Sequence, residues 1–187
     1  MLNNKWLGFL LISLLALTGC ASTGGQLANS AADINRDSNT ALQNLYASNP
    51  EARQLGRRAK GILVFPNIVK AGFVVGAQYG SGGALFKNGR TAGYYNIVAG
   101  SYGLQAGVQS FSYAMFFMDN DSLKYLDSSG GWEVGVGPSI VVVDEGMAKS
   151  LTTTTAQSGV YAYIFGQQGL MAGLGLQGSK ISRIHPD

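Results

Sequence analysis

The sequence predicts an α+β fold dominated by β structure: a strongly twisted antiparallel sheet or small β-barrel of glycine-faced strands, with N-terminal helices packed on it. The first observation is a shared grammar in four runs, Gly72 to Gly80, Gly103 to Gln109, Val134 to Ile140 and Gly169 to Gly178. In each, a glycine or small polar residue alternates with an apolar one, the period-2 mark of a strand with one apolar face. The second is composition: 27 glycines and only 12% charged residues exclude a disordered or coiled-coil chain. The third is that helical spacing is strongest near the start, where Leu27, Ala31, Ile34, Ala41 and Leu45 make one apolar stripe over 27–48.

Glycine within a strand costs entropy and removes a packing side chain, so four such runs need a physical reason. Close approach supplies it. A bare face lets a sheet coil tightly or pack against a neighbouring backbone, and a ligand surface is the alternative use of the same feature. The runs are unevenly spaced, which points to one sheet-rich domain rather than a solenoid.

Residues 1–19 form a signal peptide. Lys5 supplies the positive start, Trp6 to Leu17 an apolar stretch too short to span a bilayer comfortably, and Leu17-Thr-Gly-Cys20 the end. That ending resembles the bacterial lipobox. The resemblance implies thioether lipidation of Cys20, cleavage before it, and stable anchoring by several acyl chains. Cys20 is the only cysteine, so no intramolecular disulfide competes for its thiol. Ala21 and Ser22 follow, a pattern that resembles outer-membrane sorting. Residues 20–26 are then a lipidated tether and 27–187 the folded domain. With Lys5 removed, 12 basic residues face 10 acidic ones, a balance that argues against a nucleic-acid binder.

After the first helix, Asn49-Pro-Glu51 restarts a second over about 50–60, with Asn49 as cap and Pro50 in the first turn. It carries Arg53, Arg57, Arg58 and Lys60 against only Glu51, and Lys70 follows a turn later. These five cations are the candidate contact for anionic lipid headgroups, although a solvated face complementing the helix dipole explains the same cluster. Ile62 to Phe65 reads as a short strand ended by Pro66-Asn67. Strands are predicted at 71–80, 83–87, 91–99, 102–109 and 111–118, with a hairpin at Asn88-Gly89. A short helix or turn runs from Asp119 to Asp127. A strand bent at Pro138 spans 132–143, and Asp144-Glu145 caps a brief helix through Lys149. A strand at 160–166, a turn at Gln167-Gln-Gly169 and closing strands through 177 and over 180–184 complete the chain.

Ala59-Lys-Gly-Ile-Leu-Val-Phe-Pro66, Lys70-Ala-Gly-Phe-Val-Val-Gly76, Gly103-Leu-Gln-Ala-Gly107 and Gly169-Leu-Met-Ala-Gly-Leu-Gly-Leu-Gln-Gly178 resemble the SYLF domain over roughly 35–184. That family is also described as an actin-binding domain of yeast SH3 adaptor proteins, and it includes many bacterial lipoproteins. The resemblance implies a compact β-rich fold with flanking helices and, in eukaryotic members, phosphoinositide binding. For an exported chain, lipid rather than actin is the partner that carries over.

No catalytic pattern accompanies it. His185 sits near the C-terminus, Asp119 and Asp121 lack the later ligands of a calcium loop, and no Gly-x-Ser-x-Gly elbow occurs. The sequence therefore predicts a non-enzymatic lipoprotein of the outer membrane, without cofactor or metal, binding membrane lipids through Cys20 and anionic headgroups. The alternative is a structural or protein-interaction lipoprotein of the envelope.

Overall fold

The computed structural model describes residues 30–128, 132–133, 140–143, 159–173 and 176–187. The signal, Cys20, the tether, the Pro138 bend and the helix expected after Asp144 lie outside these residues.

Helix α1 spans Ala31–Ser48 and α2 spans Pro50–Arg58. The first begins at Ala31, later than the apolar spacing suggested, because Ser30 caps it: its hydroxyl accepts from the Asp33 N–H at 3.1 Å and donates to the Asp33 carboxylate at 2.7 Å. Asn49 serves both helices. Its N–H returns to the Leu45 carbonyl at 2.8 Å, and its side chain accepts from the Ala52 N–H at 2.8 Å. Pro50 then opens α2 at a position where no N–H is needed.

The strands are longer than predicted. β1 is Gly61–Lys87 and β2 is Arg90–Phe117, joined by Asn88 and Gly89 at φ 50° and 73°, the left-handed pair that a tight hairpin requires. Pro66-Asn67 does not end β1. It forms an irregularity between Phe65 and Ile68, and the ladder continues on its far side, with the Ser112 hydroxyl donating to the Pro66 carbonyl at 2.8 Å. Gln167-Gln-Gly169 is likewise no turn. Gly166 and Gly169 take φ 63° and 90° within β5, Val160–Gly173, and pairing with β2 resumes past a register shift. After β2 come α3, Asn120–Leu126, and β3, Trp132–Glu133; then β4, Ile140–Val143, precedes β5 and β6, Leu176–Ile184.

β2 is the spine of the sheet, which has six strands among the described residues. One edge pairs with β1 along its length; the other pairs with β6 over 94–102 and with β5 over 105–117. β3 flanks β6, and β4 flanks β5 as the one parallel neighbour among the described strands. The sheet folds over on itself midway. A Cβ placed on Gly72 would lie 2.5 Å from the Gly76 Cα, so the chain turns a corner between them, level with the passage from β5 to β6. Among the described residues, the glycine-rich stretches of β1, β2 and β5 meet at this corner, where Gly72 pairs with Gly107 and Gly107 with Met171, and the bare face of β1 points inward there; the run at 134–140 lies almost wholly outside the described residues. Curvature, the first of the two expected uses, is what those residues serve.

Folding over produces two apolar layers. Inside, Phe65, Ile68, Met115 and Phe117 from one half meet Leu85, Tyr95, Ile97 and Ile181 from the other. On the outer face of the first half, Ile62, Val64, Phe116, Tyr161 and Tyr163 lie under Ala41, Leu42, Leu45 and Ala52 of the two helices. Ser38 closes the gap between the halves of β1: fully buried, it donates to the Val64 carbonyl at 3.1 Å and accepts from the Ala84 N–H at 3.2 Å. At the rim, Tyr95 donates to Asp127 at the end of α3, and Arg183 of β6 reaches the same carboxylate at 3.2 Å.

Candidate functional site

The β1–β2 hairpin doubles back beside α1, and the C-terminal end of α2 closes the third side of a cleft of about 780 Å³. Its walls follow from helical spacing. Asn35, Asn39 and Gln43 are four residues apart and line one side of α1, with Tyr46 at its end. Leu42, Ile62 and Phe86 supply apolar lining; Asn88, Arg90 and Thr91 come from the hairpin, and Arg57 from α2. Thr91 donates to the Asn35 side-chain oxygen at 2.6 Å, which ties the hairpin to the helix.

The lining contains two guanidinium groups and no carboxylate. Among the described residues, Arg57 and Arg90 enter no ion pair, and neither do Arg53, Arg58, Lys60 or Lys70. Tyr46 lies against Gly56, where a side chain on the glycine would collide with it, and its ring is 6.5 Å from that of Phe116. Burial raises the Tyr46 hydroxyl pKa, and the nearby charge of Arg53 opposes that rise. The hydroxyl stays protonated at neutral pH. Two cations that bind phosphate oxygens in bidentate fashion, set among carboxamides that both donate and accept, can hold an anionic and hydroxyl-bearing group.

The structure brings four of the predicted cations together and leaves one apart. Arg53, Arg57 and Arg58 are exposed on α2, with Lys60 exposed just beyond it. Lys70 is not a turn away. Pro66-Asn67 fails to break β1, so ten residues of extended chain, a path of roughly 33 Å, separate it from Lys60, and it pairs with Gln109 instead. Arg90 is the residue that sequence reasoning missed as a site. Its signal was the Asn88-Gly89 turn, which returns the chain to α1 and carries the next residue into the cleft. The carboxamides at 35, 39 and 43 were visible as a helical repeat but fell outside the apolar stripe.

The described residues contain no group of three or more His, Cys, Asp or Glu placed to hold a metal, and none of their helices is long and apolar enough to cross a membrane. Fold and site together define a rolled-sheet binding module with a basic cleft at one end. Residues 98–185 match the family Ysc84, described as Las17-binding protein actin regulator, and this match supports the SYLF-domain resemblance read in the sequence. The match begins within β2. Two of the four resembling blocks, around 103–107 and 169–178, lie inside it, while those of β1 precede it and are joined to it by the β1–β2 ladder. No individually curated protein matches the chain.

Proposed function

We propose that this is a membrane-anchored, non-enzymatic lipoprotein of the outer membrane whose SYLF domain binds anionic lipid headgroups at its basic end. The observation that carries this reading is the convergence of Arg57 and Arg90 on an acid-free cleft, with Arg53, Arg58 and Lys60 exposed nearby. Each basic residue near an anionic surface contributes about 1 kcal/mol, enough in sum to bind a leaflet. Cys20 supplies the anchor and the cleft supplies selectivity.

Vesicle flotation of the chain from residue 20 with Cys20→Ser tests it. Flotation with anionic vesicles, lost in high salt and weak with zwitterionic ones, is the expected result. Equal failure to float with either removes the reading. The family description, which names Las17-binding proteins, favours a second one: an envelope protein-interaction module without a lipid ligand. In-cell crosslinking from position 57 or 90 that traps one protein rather than lipid would select it.

A further inference from the structure

Among the described residues, helices cover the outer face of β1 and β2 at one end only. Toward the corner it is bare, and there Val69, Phe73 and Val108 are 44%, 79% and 60% exposed on one half of the folded sheet. Around the corner, on the outer face of the other half, Val75, Tyr79 and Val98 are 65%, 48% and 50% exposed. The register places them side by side: Tyr79 faces Val98, while Phe73 faces Ala106 and Ala71 faces Val108. No charged residue occupies an outward position of β1 from 69 to 79, or of β2 at 98, 100, 106 and 108; the exposed Lys180 of β6, paired with Val98, marks the border of the apolar face. A soluble surface seldom leaves so continuous an apolar face open unless something covers it.

From this geometry we infer that the glycine corner is an apolar wedge that enters the bilayer interface, a second membrane contact beside the acyl anchor. The inference rests on the membrane-anchored reading above. Shape selects the occupant. The apolar residues lie on both flanks of a convex edge, so a protein docked on one flank would leave the other in water, and two copies would touch convex to convex over little area. A fluid acyl layer wraps both flanks at once. Reach permits it: Ile34 packs on Gly82, seven residues from Val75 along the strand, or roughly 23 Å, so α1 starts not far from the wedge. Ten residues connect Cys20 to Ser30 and can extend to about 35 Å. The insertion is shallow, about 5–10 Å into the headgroup and acyl boundary. The basic cleft, at the other end of the folded sheet where both ends of β1 lie, then points away from the anchoring leaflet.

The test uses the acylated protein with Phe73→Trp, reconstituted into zwitterionic vesicles whose acyl chains carry bromine as a contact quencher, with the emission of the otherwise identical wild-type protein subtracted. The expected result is a blue-shifted tryptophan quenched roughly twofold, unchanged in high salt. Val108→Trp, on the same flank one strand over, gives the same result, and Asn88→Trp at the far hairpin is not quenched. Protein that floats with the vesicles while neither wedge tryptophan is quenched overturns the inference and leaves the anchor intact. Protein that does not float overturns the anchored reading, and the wedge with it. Quenching equal at positions 73 and 88 overturns the orientation.

Discussion

Phe116 and Phe73 stand on the outer face of the same half of the sheet, one fully buried beneath α1 and α2, the other 79% exposed near the corner. The strands do not distinguish them; alternation puts both outward. What differs is the covering. The helices extend over the hairpin end and stop short of the corner, which splits one continuous apolar face into a core and a surface. Burial, and not side-chain type, decides which of these phenylalanines holds the fold together.

The sharpest way to break that comparison is the same substitution at both places. Phe116→Ala should cost about 3–5 kcal/mol of unfolding free energy, whereas Phe73→Ala should stay within about 0.5 kcal/mol, both read from urea midpoints. Equal losses would mean that the corner is covered in solution. Next in size is Ser38→Ala. It strands the Val64 carbonyl and the Ala84 N–H in the seam between the halves of β1, at about 1–3 kcal/mol. A silent Ser38→Ala would show that the seam opens to water.

Binding should separate the ends as stability separates the faces. Arg57→Gln and Arg90→Gln should each weaken binding to anionic vesicles roughly fivefold, about 1 kcal/mol apiece, while Lys70→Gln, remote from the cleft, should change it less. The smallest effect concerns Tyr163, whose hydroxyl has no partner beneath the helices and whose pKa burial pushes up to about 12, with the charges of Glu51 and Tyr161 adding to the rise. A folded pKa above the unfolded value of about 10 means that this contribution is complete below pH ~10 and declines as pH rises toward ~12. Tyr163→Phe should therefore flatten the alkaline loss of stability measured between about pH 9 and 11.5.

Much of this organisation was legible from residue pattern. Asn49 acts through bonds to Leu45 and Ala52, four and three positions away, and Pro50 through its own fixed φ, so local reading found the helix restart at once. The glycine runs announced close approach, and the corner at Gly72 and Gly76 is where it happens. Pro66 and Gln167 misled because breaker residues mark an interruption without saying whether the chain turns or the ladder merely slips past an irregularity. That choice depends on the strand across, where Ser112 holds the Pro66 carbonyl. The cleft was half visible: Arg57 belonged to an evident basic helix, but Arg90 reaches it only through a hairpin that packs on α1. Ser38, four residues after Ile34 on the apolar stripe, was the readable polar exception, and its purpose needed the two carbonyl and amide partners from distant points of β1.

The inferred wedge and the basic cleft lie at opposite ends of the folded sheet, a placement that would let them serve different surfaces. Vesicle clustering tests that most directly: zwitterionic vesicles bearing the acylated protein are mixed with empty anionic vesicles and followed by light scattering. Clustering that depends on Arg57 and Arg90 and disappears in high salt is the predicted outcome. No clustering, with a tryptophan at position 88 reporting contact with the protein's own vesicle, would contradict it.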